Sequence, residues 1–459
     1  MLRLTRVRPQ AAGNARDVPA SAKRRRVAAR ATSAFFAFSL ALAGSVFASP
    51  APAQEIKAAL ADLLDNHKRV KAAEADVNAA RERSRAALKD WFPDFELTAN
   101  YGYEREKKGQ GEKDTYMPPR EIDLKLTQLL WDFGNANATI EQARLAFEQA
   151  RAVLAQTRQS LMLEGITAYL NLLRASKLVE FARASEANIK RQAELEDARV
   201  QRGSGFSTDV LQAKTQLAGA QSKRVQTEGG LNIARNRFRA VFGYEPVNLK
   251  ELVQPRVPLD QLPTTIESAV EMAVKDNPQL KAAKVAADIA REAITITRAT
   301  EFLPKLNAIA ESKHKEDVGG TIGGKTEQIA KVELTYKFDM GFTAVNSLRA
   351  AKQTHLGTES RYGDTRDVIE EQARNSWEQL LTAKANFEYL SNQANIAAEF
   401  LELARKERAL GNRSLIDVLA GETSLINAQI DAVSAETDVS VAVFTLLSVL
   451  GGLSVDILK

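Results

Sequence analysis

Residues 95–104 read FELTANYGYE, and their side chains alternate by face. Phe95, Leu97, Ala99, Tyr101 and Tyr103 fall on one side, and Glu96, Thr98, Asn100, Gly102 and Glu104 on the other. A period of two marks a strand with one face out of water. Most of the chain around it is rich in Ala, Gln and Arg and reads as helix. What the apolar side of this strand meets decides the fold.

Three further segments read as strands: 121–131, 306–311 and 329–339. In the last, Val332, Leu334, Tyr336 and Phe338 alternate with Glu333, Thr335, Lys337 and Asp339. The clear ones reach about the 9 to 11 residues that a tilted membrane strand needs. Tyr101, Tyr103, Trp131 and Tyr336 fall near strand ends, where an interfacial girdle of aromatics would lie. The polar, Gly-rich stretches 105–119 and 312–327 read as solvent-facing hairpin ends. A soluble sheet packed on helices is the competing reading, and two points favour lipid. The strands stand at one end of very long helices, which leaves little helix surface to cover them. Four strands also cannot close a cylinder, and an open edge in lipid leaves backbone groups unpaired at several kcal/mol each. Two chains would supply eight strands, which fill with side chains, and three would supply twelve, which leave a passage.

The second half of the chain repeats the first at an offset of about 207 to 211 residues. DNHKRVKAA at Asp65 answers to DNPQLKAAK at Asp276, WFPDFEL at Trp91 to FLPKLNA at Phe302, and LTQLLWDFG, ending at Gly134, to LTYKFDMG, ending at Gly341. RGSGFSTDVLQAKTQLAGAQ at Arg202 answers to LGNRSLIDVLAGETSLINAQ at Leu410, and VFGYE at Val241 to VLGGL at Val449. The expected organisation is a first repeat over 54–243, a connector over 244–264 holding four of the thirteen prolines, and a second repeat over 265–459. No proline lies between Pro119 and Pro246 or after Pro304. Continuous helices are therefore expected from 134 to about 202 and from 341 to about 410, each approaching about 100 Å at about 1.5 Å per residue. Ile266, Ala269, Val270, Ala273 and Val274 mark the buried face of an entering helix.

Residues 1–53 read as a cleaved secretory leader: a basic region ending in KRRRVAAR, the apolar ATSAFFAFSLALAGSVFA, then Ala51-Pro52-Ala53. The basic region is long for such a leader, so the true translation start stays open. The leader carries nine Lys or Arg against one Asp, so removing it takes the net charge from +5 to −3. That withdraws the case for a nucleic-acid partner. With no cysteine in the chain there is no disulfide framework and no lipidated N-terminal cysteine. No later run offers some 18 consecutive apolar residues for an inner-membrane helix.

Taken together, the duplicated series with FPDFELTANYGYE, LTQLLWDFG, RGSGFSTDVLQAKTQL and GNRSLIDVLAGETSLINAQ resembles the TolC-like outer-membrane efflux proteins over essentially the whole mature chain. The resemblance implies a mainly α chain with a membrane β part, forming a homotrimer with a twelve-stranded barrel in the Gram-negative outer membrane and an α-helical periplasmic tunnel. It also implies a periplasmic adaptor and an inner-membrane ABC or proton-driven transporter as partners, in type I protein secretion or small-molecule efflux. The missing anchor cysteine leans toward secretion. Turns at Gly203 or Gly205 and at Gly411 would form the periplasmic tip and the adaptor docking site, with Ser207, Thr208 and Ser414 available as helix caps. Tip closure would map to Thr208, Asp209 and Arg413, with Arg408 where a tyrosine is typical. An acidic pore ring would map to Asp417, with Ala420 at a second acidic position and Glu422 nearby.

Gly319 to Thr326, GGTIGGKT, matches a phosphate-loop pattern, but ESKHKED precedes it and the strand QIAKVELTYKF follows, so no helix N-terminus receives a phosphate. His67, His314 and His355 are isolated, with no metal-ligand spacing. No cofactor and no enzymatic activity are expected. The competing functions are a periplasmic adaptor and a coiled-coil scaffold without a barrel.

Overall fold

The computed structural model describes residues 52–457 apart from 108, 110–113, 247, 248, 250, 251, 338 and 339. The leader read over 1–53 lies outside the described residues except for its last two positions. Along the chain run α1 (Pro52–Asn66), α2 (Lys68–Ala87), β1 (Asp94–Tyr101), β2 (Glu104–Glu106), β3 (Thr115–Met117), β4 (Arg120–Trp131), α3 (Asn135–Gln201) and α4 (Ser207–Phe242). The series continues with α5 (Ile266–Asp276), α6 (Pro278–Phe302), β5 (Lys305–Glu316), β6 (Gly324–Thr335), α7 (Thr343–Ala409) and α8 (Leu415–Val449).

The proline-free stretches form α3 and α7, each of 67 residues and so about 100 Å long. Toward their C-terminal ends the helices lie in the row α4, α3, α8, α7; nearer the sheet the row is α2, α3, α6, α7. Each entering helix is split in two, at His67 and Asn277, within the repeated DNHKRVKAA and DNPQLKAAK motifs. Asn277 caps α6 by accepting the N–H groups of Gln279 and Leu280 at 2.8 and 3.4 Å, ahead of Pro278 in the first turn. His67 Nδ1 accepts the Arg69 N–H at 3.1 Å in the same role for α2. The main core gathers where these helices meet, with Leu161, Ile166 and Leu170 of α3, Ile369 of α7 and Phe444 and Leu446 of α8 all fully buried. Ala269 and Ala273 point into it from α5, as their spacing predicts.

Among the described residues one helix, α8, is long and apolar enough to cross a membrane by length and composition, although it holds no unbroken apolar run. Its residues Val443, Phe444, Leu446 and Leu447 pack into the helical core.

The strands form one antiparallel sheet in the order β1-β4-β5-β6, with β2 and β3 as a separate two-stranded hairpin. Four expectations change here. The strand expected over 95–104 ends as β1 at Tyr101, and Glu104 opens β2. The segment 105–119 is not plain loop, because β2 and β3 pair within it. The hairpin end 312–327 shrinks to 317–323, because β5 extends to Glu316 and β6 starts at Gly324, paired from Glu316↔Gly324 to Lys305↔Thr335. Alternation is invisible there because both faces carry polar side chains. The last strand ends at Thr335 rather than at 339, leaving Tyr336 just beyond it. Lys325 and Thr326 lie in a paired strand, as the rejection of a phosphate loop requires.

At the junctions from sheet to long helix the backbone turns left-handed, at Phe133 (φ 56°) and the cap Gly134 (φ 93°) before α3 and at the cap Phe342 (φ 56°) before α7. Asp132 fixes the first of these starts by accepting the N–H groups of Gly134 at 3.2 Å and Ala136 at 2.7 Å.

Candidate functional site: the sheet faces and the helix turns

Register places Phe95 beside Leu126, Leu97 beside Leu124, Ala99 beside Ile122 and Leu306 beside Leu334, so the apolar residues of four strands share one face. That face is open: Leu97 is 61% exposed, Val332 65% and Leu334 65%. The opposite face carries Glu121, Asp123, Lys125, Glu311, Lys313 and Lys315, and it is the more enclosed of the two along β4. Its charges pair, Lys315 with Glu121 across strands and Lys313 with Glu311 along one, both at 3.2 Å. A sheet in water buries its apolar side and exposes its charges; this one does the reverse. Tyr101 and Tyr103 are exposed at the hairpin end of the sheet, and Trp131 and Tyr336 at the helix end.

The far ends of the long helices close by one device used twice. Gly203 sits at φ +74°, donating its N–H to Val200 C=O at 2.9 Å while Ser204 N–H reaches Arg199 C=O at 3.0 Å. Gly411 at φ +82° repeats it, with Gly411 N–H to Arg408 C=O and Asn412 N–H to Glu407 C=O, both at 3.0 Å. This paired closure satisfies the last carbonyls of each helix and needs a residue without a Cβ penalty. Gly205 has a different constraint: a Cβ there would stand 3.0 Å from Val200 Cγ2 and 3.1 Å from Val200 N.

Ser414 caps α8, accepting the Asp417 N–H at 3.2 Å. The matching turn differs from expectation. Ser207 and Thr208 lie inside the first turn of α4, and Phe206, with no side-chain acceptor, takes the cap position.

Arg408 crosses to α3 and pairs with Glu196 at 3.0 Å, and Arg199 holds the same carboxylate at 2.8 Å. Arg413 turns back to Glu407 at 2.6 Å, its guanidinium 5.3 Å from the Phe400 ring centroid. The ion pairs of both arginines therefore go to Glu196 and Glu407 of the same chain, while Thr208 is exposed and Asp209 half-buried at the start of α4. Asp417 is exposed at the start of α8. Glu422, expected beside it on a pore ring, is buried and ion-paired with Arg405. Five residues carry a helix about 140° round its axis, so Glu422 faces the protein when Asp417 faces out.

Glu196 was not legible as a site residue. A signal does exist: Ile189, Ala193 and Glu196 follow the buried stripe of α3, and Leu415, Val418, Leu419 and Glu422 that of α8. In each, a carboxylate occupies an apolar position.

The family model for outer membrane efflux proteins matches residues 59–244 and again 269–452. The chain belongs to the outer membrane efflux protein family. Among its relatives, the outer membrane protein TolC of Vibrio cholerae is 26% identical over 379 residues, covering 81% of this chain and 84% of TolC. The alkaline protease secretion protein AprF of Pseudomonas aeruginosa is 26% identical over 327 residues, 69% of this chain and 66% of AprF. Among solved structures, the outer-membrane channel OprN superposes with a TM-score of 0.76 at 20% identity, over 87% of this chain and 90% of that one. As an outer membrane efflux protein, the chain is a channel for efflux or type I secretion, located in the outer membrane and extending into the periplasm.

Proposed function

We propose that three copies join edge to edge, β6 of one to β1 of the next, into a twelve-stranded barrel continuous with an α-helical tunnel. Both repeats, 54–243 and 265–459 with their connector between, contribute to this one duct. The observation that carries the proposal is the inverted sheet, apolar and open on one side and charged on the other, with β1 and β6 as edges. Such edges in lipid demand pairing, and only further copies can supply it.

The helical part supports the same assembly. Leu381, Tyr389, Ile396 and Leu403 leave an apolar stripe exposed on α7, at one end of the helix row, and Leu211, Val225 and Ile233 leave another on α4 at the opposite end. In a ring these two ends meet, and each stripe covers the other.

The duct is passive in this reading. An inner-membrane ABC or proton-driven transporter supplies energy, and a periplasmic adaptor docks at the turns around Gly203, Gly205 and Gly411. Thr208, Asp209, Arg408 and Arg413 close the tip, and three copies of Asp417 place like charges in its constriction, which favours cations. Native mass spectrometry of the detergent-solubilised protein tests the assembly and is expected to show three copies. A stable monomer with no need of detergent would refute it.

A further inference from the structure

The outward face of the sheet is not apolar to its full height. Toward the hairpin end, β5 and β6 carry Ser312 opposite Gln328 and His314 opposite Thr326, while the neighbouring positions on β4 are Leu124 and Ile122. A block of four hydrogen-bonding side chains thus stands level with apolar ones on the same face. His314 Nδ1 and Thr326 Oγ1 are 3.1 Å apart. Above them Arg120, with its side chain 62% exposed, lies 3.6 Å from Glu316 and 5.9 Å from the Tyr101 ring centroid. Below the block the same face is hollow. Ala308, Ala310 and Ala330 floor a groove of about 410 Å³ walled by Leu126 and Val332. It is continued by a second groove of about 380 Å³ that reaches Ser312 and Gln328.

Polar side chains in contact with hydrocarbon need partners. The arrangement from bottom to top is an apolar groove, a hydroxyl and amide block, then an imidazole and a guanidinium. That order matches one amphiphile: an acyl chain, a hydroxylated headgroup and a phosphate. The hairpin end is the end away from the helices, hence the outer leaflet if the helices are periplasmic. We propose that this notch binds a phosphorylated acyl lipid of the outer leaflet, one per subunit. Arg120 and His314 hold the phosphate, Ser312, Thr326 and Gln328 hold headgroup hydroxyls, and an acyl chain lies over Ala308 and Ala310. The inference rests on the proposed trimer with this face toward lipid.

The test uses the full-length protein in mild detergent, titrated with bisphosphorylated lipid A and with its dephosphorylated form, and read by native mass spectrometry. The expected result is up to three adducts per trimer, with the dephosphorylated lipid about tenfold weaker, since charge-assisted contacts to phosphate are lost. The double variant Arg120→Gln, His314→Asn should lose about tenfold for the phosphorylated lipid, with Arg120→Lys restoring part. Ala310→Phe, which fills the groove and leaves Arg120 in place, should weaken both lipids. Equal binding of the two lipids, an unaffected double variant, or a stoichiometric polypeptide in place of lipid would overturn the site. The same spectrum reports the oligomer, so a trimer that does not discriminate between lipids sinks this proposal alone, and a monomer sinks the reading beneath it.

Discussion

Arg408 and Glu196 stand 212 residues apart in the chain and 3.0 Å apart in the fold, joining α7 to α3 beside the two helix turns. Glu196 is only 3% exposed, so its charge depends on Arg408 and on Arg199. Removing one partner of a buried pair costs roughly 3–5 kcal/mol when nothing replaces it. With Arg199 remaining, Arg408→Ala is expected to cost about 1–3 kcal/mol. In planar bilayers the variant should raise single-channel conductance, because α7 is released from α3. Glu196→Ala should do the same, and the double variant should add little to either. Additive effects in that cycle would mean that the pair does not act as a unit.

The helix-closing glycines should rank by their surroundings. Gly411 has a left-handed backbone and open space where a Cβ would stand, so Gly411→Ala should cost about 1 kcal/mol. Gly451 shares the backbone, at φ +77°, but its Cβ would lie 2.6 Å from Asp276 O. Thermal unfolding in detergent should therefore show a clearly larger loss for Gly451→Ala than for Gly411→Ala.

Residues on β4 offer a test of which face meets lipid. Leu126→Arg places a charge on the open apolar side, level with Ala310 and Ala330 at mid-strand, and should cost about 2–4 kcal/mol near the bilayer midplane. Asp123→Arg changes the charged side and should leave assembly in the outer membrane close to wild type. Heat-stable oligomer in membrane extracts reads both variants, and reversed sensitivities would place the charged face outward.

The Glu228 carboxyl is held below its ordinary value by its hydrogen bonds to the Arg183 and Arg224 side chains. A lowered folded pKa stabilises above the ordinary value of 4.5, and the contribution is lost as pH falls from there through the folded value. Denaturant unfolding should show Glu228→Gln less stable than wild type at pH 7, with the two converging as the medium becomes more acidic than pH 4.5.

Much of the fold was legible because its signals are local. Proline-free stretches bounded by Gly134, Gly203, Gly341 and Gly411 gave α3 and α7 nearly to the residue, and alternation in FELTANYGYE gave β1. What escaped depends on tertiary partners. The outer halves of β5 and β6 hide because SKHKE and GKTEQ put polar groups on both faces, and only pairing shows them to be strand. Turns do fall at Gly203 and Gly411, yet the ion-pair partners of the arginines beside them were not readable. Nothing local says that Arg408 reaches Glu196, or that Glu422 turns inward to Arg405. Ser207 looked like a cap, whereas the backbone starts α4 one residue earlier and gives that position to Phe206.

The claim that everything else depends on is closure of the sheet by copies of itself. The chain contains no cysteine, so introduced cysteines report without background. Thr98→Cys on the β1 edge, combined in turn with single cysteines at positions 327 to 333 of the β6 edge, can be oxidised in native membranes and run on a denaturing gel. At one register the account predicts a ladder that stops at three subunits; crosslinks confined to the monomer at every register, or a ladder that runs past three, would contradict it.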